Sequence, residues 1–123
     1  MTENKLNKWF ESLRDIWLSK TPNKAELLVA DKFFWSENPF QNPITNKKEL
    51  LEEWQGVLKQ KDVKVEYKLL STQDNVGIAT WKSSFTWTDT NISIKMKGIW
   101  YVVLDEKGKC IEFRQWFNIK QPN

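Results

Sequence analysis

The chain has 123 residues, 40% hydrophobic and 14% aromatic, with 19 lysines and arginines against 16 acidic residues and a formal charge of +3. Such a chain builds one domain over residues 1–123 with a real core; it has no room for a second domain and is too ring-rich for a disordered chain. Histidine is absent, which excludes Ser-His-Asp and Cys-His devices, removes the commonest nitrogen ligand for a metal, and leaves proton transfer to carboxylates, tyrosine or lysine.

Residues 5–19 are predicted to form a helix, because Leu6, Trp9, Phe10, Leu13, Ile16 and Trp17 recur at spacings of three and four. Thr21-Pro22 reads as a threonine N-cap with proline at the first helical position, opening a short helix to about residue 30. Phe33 to Ser36 is a short aromatic strand that Pro39 and Pro43 keep from continuing as a central one. Asn46 with Glu49 resembles a capping box and opens a third helix to about residue 60, with Leu50, Leu51, Trp54, Val57 and Leu58 facing inward.

The second half alternates with period two. Val63, Val65, Tyr67 and Leu69 mark one strand; Val76–Thr88, Ile92–Leu104 and Cys110–Ile119 mark three more, separated by turns at Asp74-Asn75, Thr88–Asn91 and Asp105–Gly108. Helices gathered before an antiparallel meander make an α+β domain with helices covering one sheet face. Alternation assigns Gly77, Ala79, Trp81, Ser83, Phe85 and Trp87 to the covered face of one strand. From the next it takes the even positions from Ile92 to Leu104, and from the last Ile111, Phe113, Gln115, Phe117 and Ile119. The opposite face carries Ile99, Tyr101, Val103, Glu112, Arg114 and Trp116, a mixture suited to a dimer face rather than to full solvation.

The lysines are scattered and only Arg14 and Arg114 are arginines, so nucleic acid is not expected as a partner. Cys110 is alone, which rules out an internal disulfide, and no apolar run reaches membrane-spanning length. With no signal-peptide core in MTENKLNKWF, the expected location is the cytoplasm, with no membrane partner.

Several pieces in order resemble the SnoaL-like members of the nuclear transport factor 2-like superfamily. They are Ala30-Asp31 leading to Trp35, Asn38-Pro39-Phe40, Ile44 to Glu49-Leu50 and Trp54, Asp105 to Gly108-Lys109-Cys110-Ile111, and Phe113-Arg114-Gln115-Trp116-Phe117. The resemblance implies an α+β cone: three N-terminal helices packed in the concave face of a strongly curved, mostly antiparallel sheet. It implies an apolar cavity at the wide end and dimerisation through the convex face. It also implies that isomerase chemistry is lost. The position of the general-base aspartate holds Asn38, the oxyanion tyrosine falls near Leu13 with Trp17 one turn on, and its partner aspartic acid falls at about Trp100. Epoxide hydrolase-like relatives need Asp-Arg-Asp inside the cone, and the inner strand sets contain neither arginine nor carboxylate.

The expected ligand pocket is therefore Trp17, Trp35, Asn38, Phe40, Trp54, Trp81, Phe85, Trp100, Phe113, Gln115 and Phe117, and the expected dimer face is Tyr101, Glu112, Arg114 and Trp116. Rings that fill the core completely are the competing reading, although a buried tryptophan needs a partner for its N–H and is better suited to walling a ligand. Asn38 either orients a ligand or satisfies the turn before Pro39; Gln115 either contacts a ligand or pairs with a buried indole. Glu37 is expected to be solvated, and Cys110 inert. The expected activity is binding of a small apolar or aromatic molecule by a homodimer, with no cofactor, no metal and no assigned catalytic residue. The alternatives are a lyase, isomerase or cyclase using Asp31, Tyr67 or Tyr101, and a protein-interaction module using the convex face.

Overall fold

The structure, a computed structural model, describes residues 2–120. Helix α1 (Thr2–Ser19) turns one stripe, Leu6, Trp9, Phe10, Leu13 and Ile16, completely inward. Lys20 ends it in the left-handed region, at φ 54°. Thr21-Pro22 does restart the chain, as a 3₁₀ segment (Pro22–Leu28) with proline at its start. The threonine caps nothing through its side chain; its hydroxyl lies 2.8 Å from that of Ser19. Strand β1 (Val29–Ser36) is longer than its aromatic core alone implies, because pairing with β5 sets its length from Val29, opposite Cys110, to Ser36, opposite Arg114. Helix α2 (Lys47–Trp54) begins as a capping residue should: the Asn46 side chain accepts a hydrogen bond from the Glu49 N–H at 2.9 Å. It tightens into a 3₁₀ turn, Gln55–Lys59.

Four long strands follow: β2 (Gln60–Gln73), β3 (Val76–Trp87), β4 (Ser93–Leu104) and β5 (Cys110–Lys120). The sheet order is β1-β5-β4-β3-β2. The β2–β3, β3–β4 and β4–β5 pairs are antiparallel, while β1 joins β5 in parallel. Three helical segments thus pack against a five-stranded, curved, mostly antiparallel sheet. The β4–β5 turn uses Gly108 at φ 81°, and the Asp105 carboxylate accepts from the N–H groups of Lys107 and Lys109 at 2.8 and 2.9 Å.

The inner face is the one that alternation picks out: Ala79, Trp81, Phe85, Trp100, Val102, Leu104 and Phe113 are buried. Three expected members are exposed, among them Ile119 near the end of β5. Ile92 precedes β4 and is 46% exposed. Ile111 is 40% exposed, because the β4–β5 register slips so that Leu104 stands opposite Cys110 while Val103 stands opposite Glu112. The extra residue of such a bulge has no place on either regular face.

Stacked rings hold α1 in the hollow. Phe10 stacks on Trp100 at 5.9 Å and Trp100 on Trp81 at 5.3 Å. Trp35 stacks on Phe113 at 4.1 Å, and Trp9 lies against both. Each ring withdrawn from water contributes about 1.5–3 kcal/mol, so this cluster secures the helix. Gly77 lets it come close: a Cβ there would meet Leu6 at 2.9 Å. Among the described residues no helix is long and apolar enough to cross a membrane.

Candidate functional site

Helix α1 does not fill the whole hollow. Beyond Leu13 and Trp17 a cavity of about 480 Å³ remains, within the range of small-molecule sites. Its deep wall is Trp35, Trp100 and Phe113, each no more than 1% exposed. Its sides are Trp17, Trp54, Phe85 and Phe117, with Val57, Ile94 and Met96 between them. Exposed Gln41, Glu53 and Ile119 are also lining residues and place its opening to solvent.

The stretch after β1 forms one side of that opening. Trp35 and Ile44 exchange both backbone hydrogen bonds at 2.9 Å, closing residues 36–43 into a loop. Within it, Gln41 N–H donates to the Asn38 carbonyl at 3.0 Å, and Phe40 N–H donates to the Asn38 side chain at 3.0 Å. Asn38 therefore satisfies its own turn and also lines the cavity. Phe40 occupies the tip of that turn and is 99% exposed, so the expectation that it lines the pocket is overturned: the turn that Pro39 starts projects it into solvent.

The larger correction concerns Glu37. It is not a solvated side chain but a wall of the cavity, as is Glu53 from α2. Regular alternation ends at Ser36, the last residue paired with β5, and the bend lets Glu37 and Asn38 both face the hollow. Trp35 Nε1–H donates to Glu37 Oε2 at 3.2 Å. Burial pushes the Glu37 carboxyl up from 4.5 to about 7; the Trp35 N–H opposes this, while the charge of Glu53 and a hydrogen bond between the two carboxyl groups raise it further. The strand sets are free of carboxylate, yet the hollow is not, because both glutamates reach it from a loop and a helix.

Trp81 departs from expectation in another way. It is 3% exposed but does not line the cavity, since Trp100 covers one of its faces and Trp17 and Phe117 approach at 6.0 and 6.2 Å. The other pocket residues of the sequence reading, Trp17, Trp35, Asn38, Trp54, Phe85, Trp100, Phe113, Gln115 and Phe117, meet around this one space. Gln115 fills both roles open to it: it lines the cavity, accepts from Trp100 Nε1 at 2.9 Å and donates to the Glu37 backbone carbonyl at 3.3 Å. Gln60, missed in the sequence, accepts from Trp17 Nε1 at 2.7 Å. The Trp54 and Trp81 N–H groups and the Ser83 hydroxyl are buried without partners.

The other candidate acids and bases lie elsewhere. Asp31 is exposed and 3.3 Å from Lys47. Tyr67 donates to the Asn7 side chain at 2.7 Å, and burial raises its pKa. Tyr101 stands opposite Arg114 on the outer sheet face. Cys110 is buried, which pushes its thiol well above the usual range. Among the described residues no three acidic or cysteine side chains converge as metal ligands.

Solved structures of similar shape define the fold class. A Δ5-3-ketosteroid isomerase from Mycobacterium sp. superposes with a TM-score of 0.83 at 11% identity, covering 96% of this chain and 98% of that one. An LEH-like epoxide hydrolase from M. tuberculosis gives 0.70 at 11% identity over 94% and 84%. A computationally designed 17-OHP binder gives 0.80 at 15% identity over 94% and 95%. The chain has the cone fold that these structures share. No family model matches the sequence, and no curated protein matches it.

Because the Glu37 carboxyl is raised to about 7, its ionisation is disfavoured only in the folded chain. Stability due to this group is complete below pH 4.5, falls as pH rises towards 7 and is level above that. Glu37→Gln is expected to raise stability at pH 8 by up to about 3 kcal/mol and to leave it nearly unchanged at pH 4; urea denaturation at both pH values measures the difference.

Proposed function

We propose that this protein binds a small molecule with a largely apolar, ring-sized body in the cone cavity. The observation that carries this reading is the open volume of about 480 Å³ beside a closed ring-packed core. A purely structural use of the rings would leave no such space. Similar cones include a steroid isomerase and a designed 17-OHP binder, which supports an organic ligand of comparable bulk. The isomerase positions carry Asn38, Leu13 and Trp100, none a group for proton abstraction, and all three line the cavity. Gly56 offers a block, since it lines the cavity and a Cβ built there meets nothing within 4 Å. Titration calorimetry with 2-naphthaleneethanol is expected to show binding to the native protein, weakened at least about tenfold (about 1.4 kcal/mol) in Gly56→Phe. Equal binding by both proteins, or none by either, removes the reading.

Glu37 favours a second reading, proton transfer at the same site. A carboxyl held near neutrality in an apolar wall is suited to general acid–base work. This replaces Asp31, Tyr67 and Tyr101 as the candidate group. If it operates, the native protein exchanges deuterium from solvent into the carbon next to a bound ketone carbonyl, and Glu37→Gln does not. NMR in D₂O over a panel of cyclic ketones reads this, and no exchange with any of them ends it.

We also propose a homodimer through the outer sheet face. Trp116 is 42% exposed there beside Tyr101, Glu112 and Arg114, with the Arg114 guanidinium 4.6 Å above the Phe34 ring. The unpaired, buried Cys110 fits a reducing compartment such as the cytoplasm. Trp116→Lys is expected to convert a dimer to a monomer in light scattering; a native monomer overturns the proposal.

A further inference from the structure

The cavity walls carry two formal charges, Glu37 and Glu53, and both are negative. No lysine or arginine lines the cavity, although the chain holds 19 of them. The ion pairs of the described residues lie elsewhere: Asp15, Asp31, Glu66 and Glu112 have basic partners, and Glu37 and Glu53 have none. The charge that acts on the Glu37 carboxyl is instead that of Glu53, of its own sign. Trp35 Nε1–H fixes one oxygen of Glu37 at 3.2 Å, and Gln115 Nε2–H holds the Glu37 backbone at 3.3 Å, so the side chain is set in place before any ligand arrives. Around the pair the walls are mostly indole, phenyl and aliphatic side chains, with the neutral amides of Asn38, Gln41, Gln60 and Gln115 among them. Such walls solvate a negative charge poorly and offer hydrocarbon contact instead.

An apolar recess with uncompensated carboxyl groups and no counter-ion is complementary to one ligand class. We propose that the cavity selects organic cations, namely lipophilic amines or ammonium compounds whose charged head sits at Glu37 and Glu53 and whose aryl or alkyl body lies against Trp17, Phe85 and Phe117. This rests on the reading of the cavity as a ligand site and names the substrate class for it. An ammonium head supplies the missing counter-charge and can donate to both carboxylates. A carboxylate ligand meets like charge there. A neutral alcohol gains only the hydrocarbon contact and a single hydrogen bond.

The test is a charge series on one body: 2-(2-naphthyl)ethylamine, 2-naphthaleneethanol and 2-naphthylacetate, titrated calorimetrically at pH 8 and low salt. The amine is expected to bind at least about tenfold more tightly than the alcohol, with the acetate weakest. In Glu37→Gln/Glu53→Gln the ratio of amine to alcohol affinity is expected to fall to near unity. An alcohol that binds as tightly as the amine overturns cation selection while leaving the cavity as a ligand site. A preference that survives in the double variant overturns the roles of the two glutamates. No binding of all three compounds, with Gly56→Phe indistinguishable from the native chain, removes both the selection and the site.

Discussion

The structure depends on how far one helix reaches into one curved sheet. Leu6, Trp9 and Phe10 seal the end of the hollow against Trp35, Trp100 and Phe113, and Gly77 allows the approach by having no Cβ to strike Leu6. The rings there are buried in contact with one another, as dense protein interiors require. Leu13 and Trp17 are the last side chains of the stripe to reach inward across the cavity. Past them the sheet continues to Phe117 and Ile119 without α1 over it, and the volume left between the sheet and α2 is the cavity. Core and site are thus two ends of one apolar surface.

Tryptophan makes this boundary stable in a way that aliphatic residues would not. Trp9 donates to the Leu28 carbonyl at 2.9 Å, Trp17 to Gln60, Trp35 to Glu37 and Trp100 to Gln115. Each indole joins the apolar core while its N–H ties down a polar group at the edge of the cavity or a chain terminus of the 3₁₀ segment. Polar groups at the edge are thereby oriented by rings of the core, which couples the geometry of the site to the stability of the fold. Glu37 is the extreme case, since the hydrogen bond from Trp35 partly offsets the cost of withdrawing its charge from water.

The balance of forces at the opening is different. Asn38 uses its side chain on Phe40 and its carbonyl on Gln41, so the turn is satisfied locally and needs no packing to hold it. That frees Phe40 from the core altogether. A ring at the tip of a self-sufficient turn lies where the backbone sends it, whatever its hydrophobicity.

Local patterns in the sequence determined the helices, the Asn46 cap, the glycine turn at Gly108 and the inner face of three strands, because each follows from spacing, capping or alternation within a few residues. Most of the ring-lined wall was legible for the same reason. Glu37 could have been found: it shares parity with buried Phe33 and Trp35, and Glu53 stands one helical turn from buried Leu50. Their meeting could not, since it joins the bend after β1 to a face of α2. Only the tertiary structure decided the parallel β1–β5 pairing, the slip that expels Ile111, the cover over Trp81 and the placing of Glu37 in the wall and Glu53 at the opening of an apolar hollow. The slip depends on pairing register across the β4–β5 hairpin and the other three on contacts between segments distant in the chain, and no local periodicity carries that information.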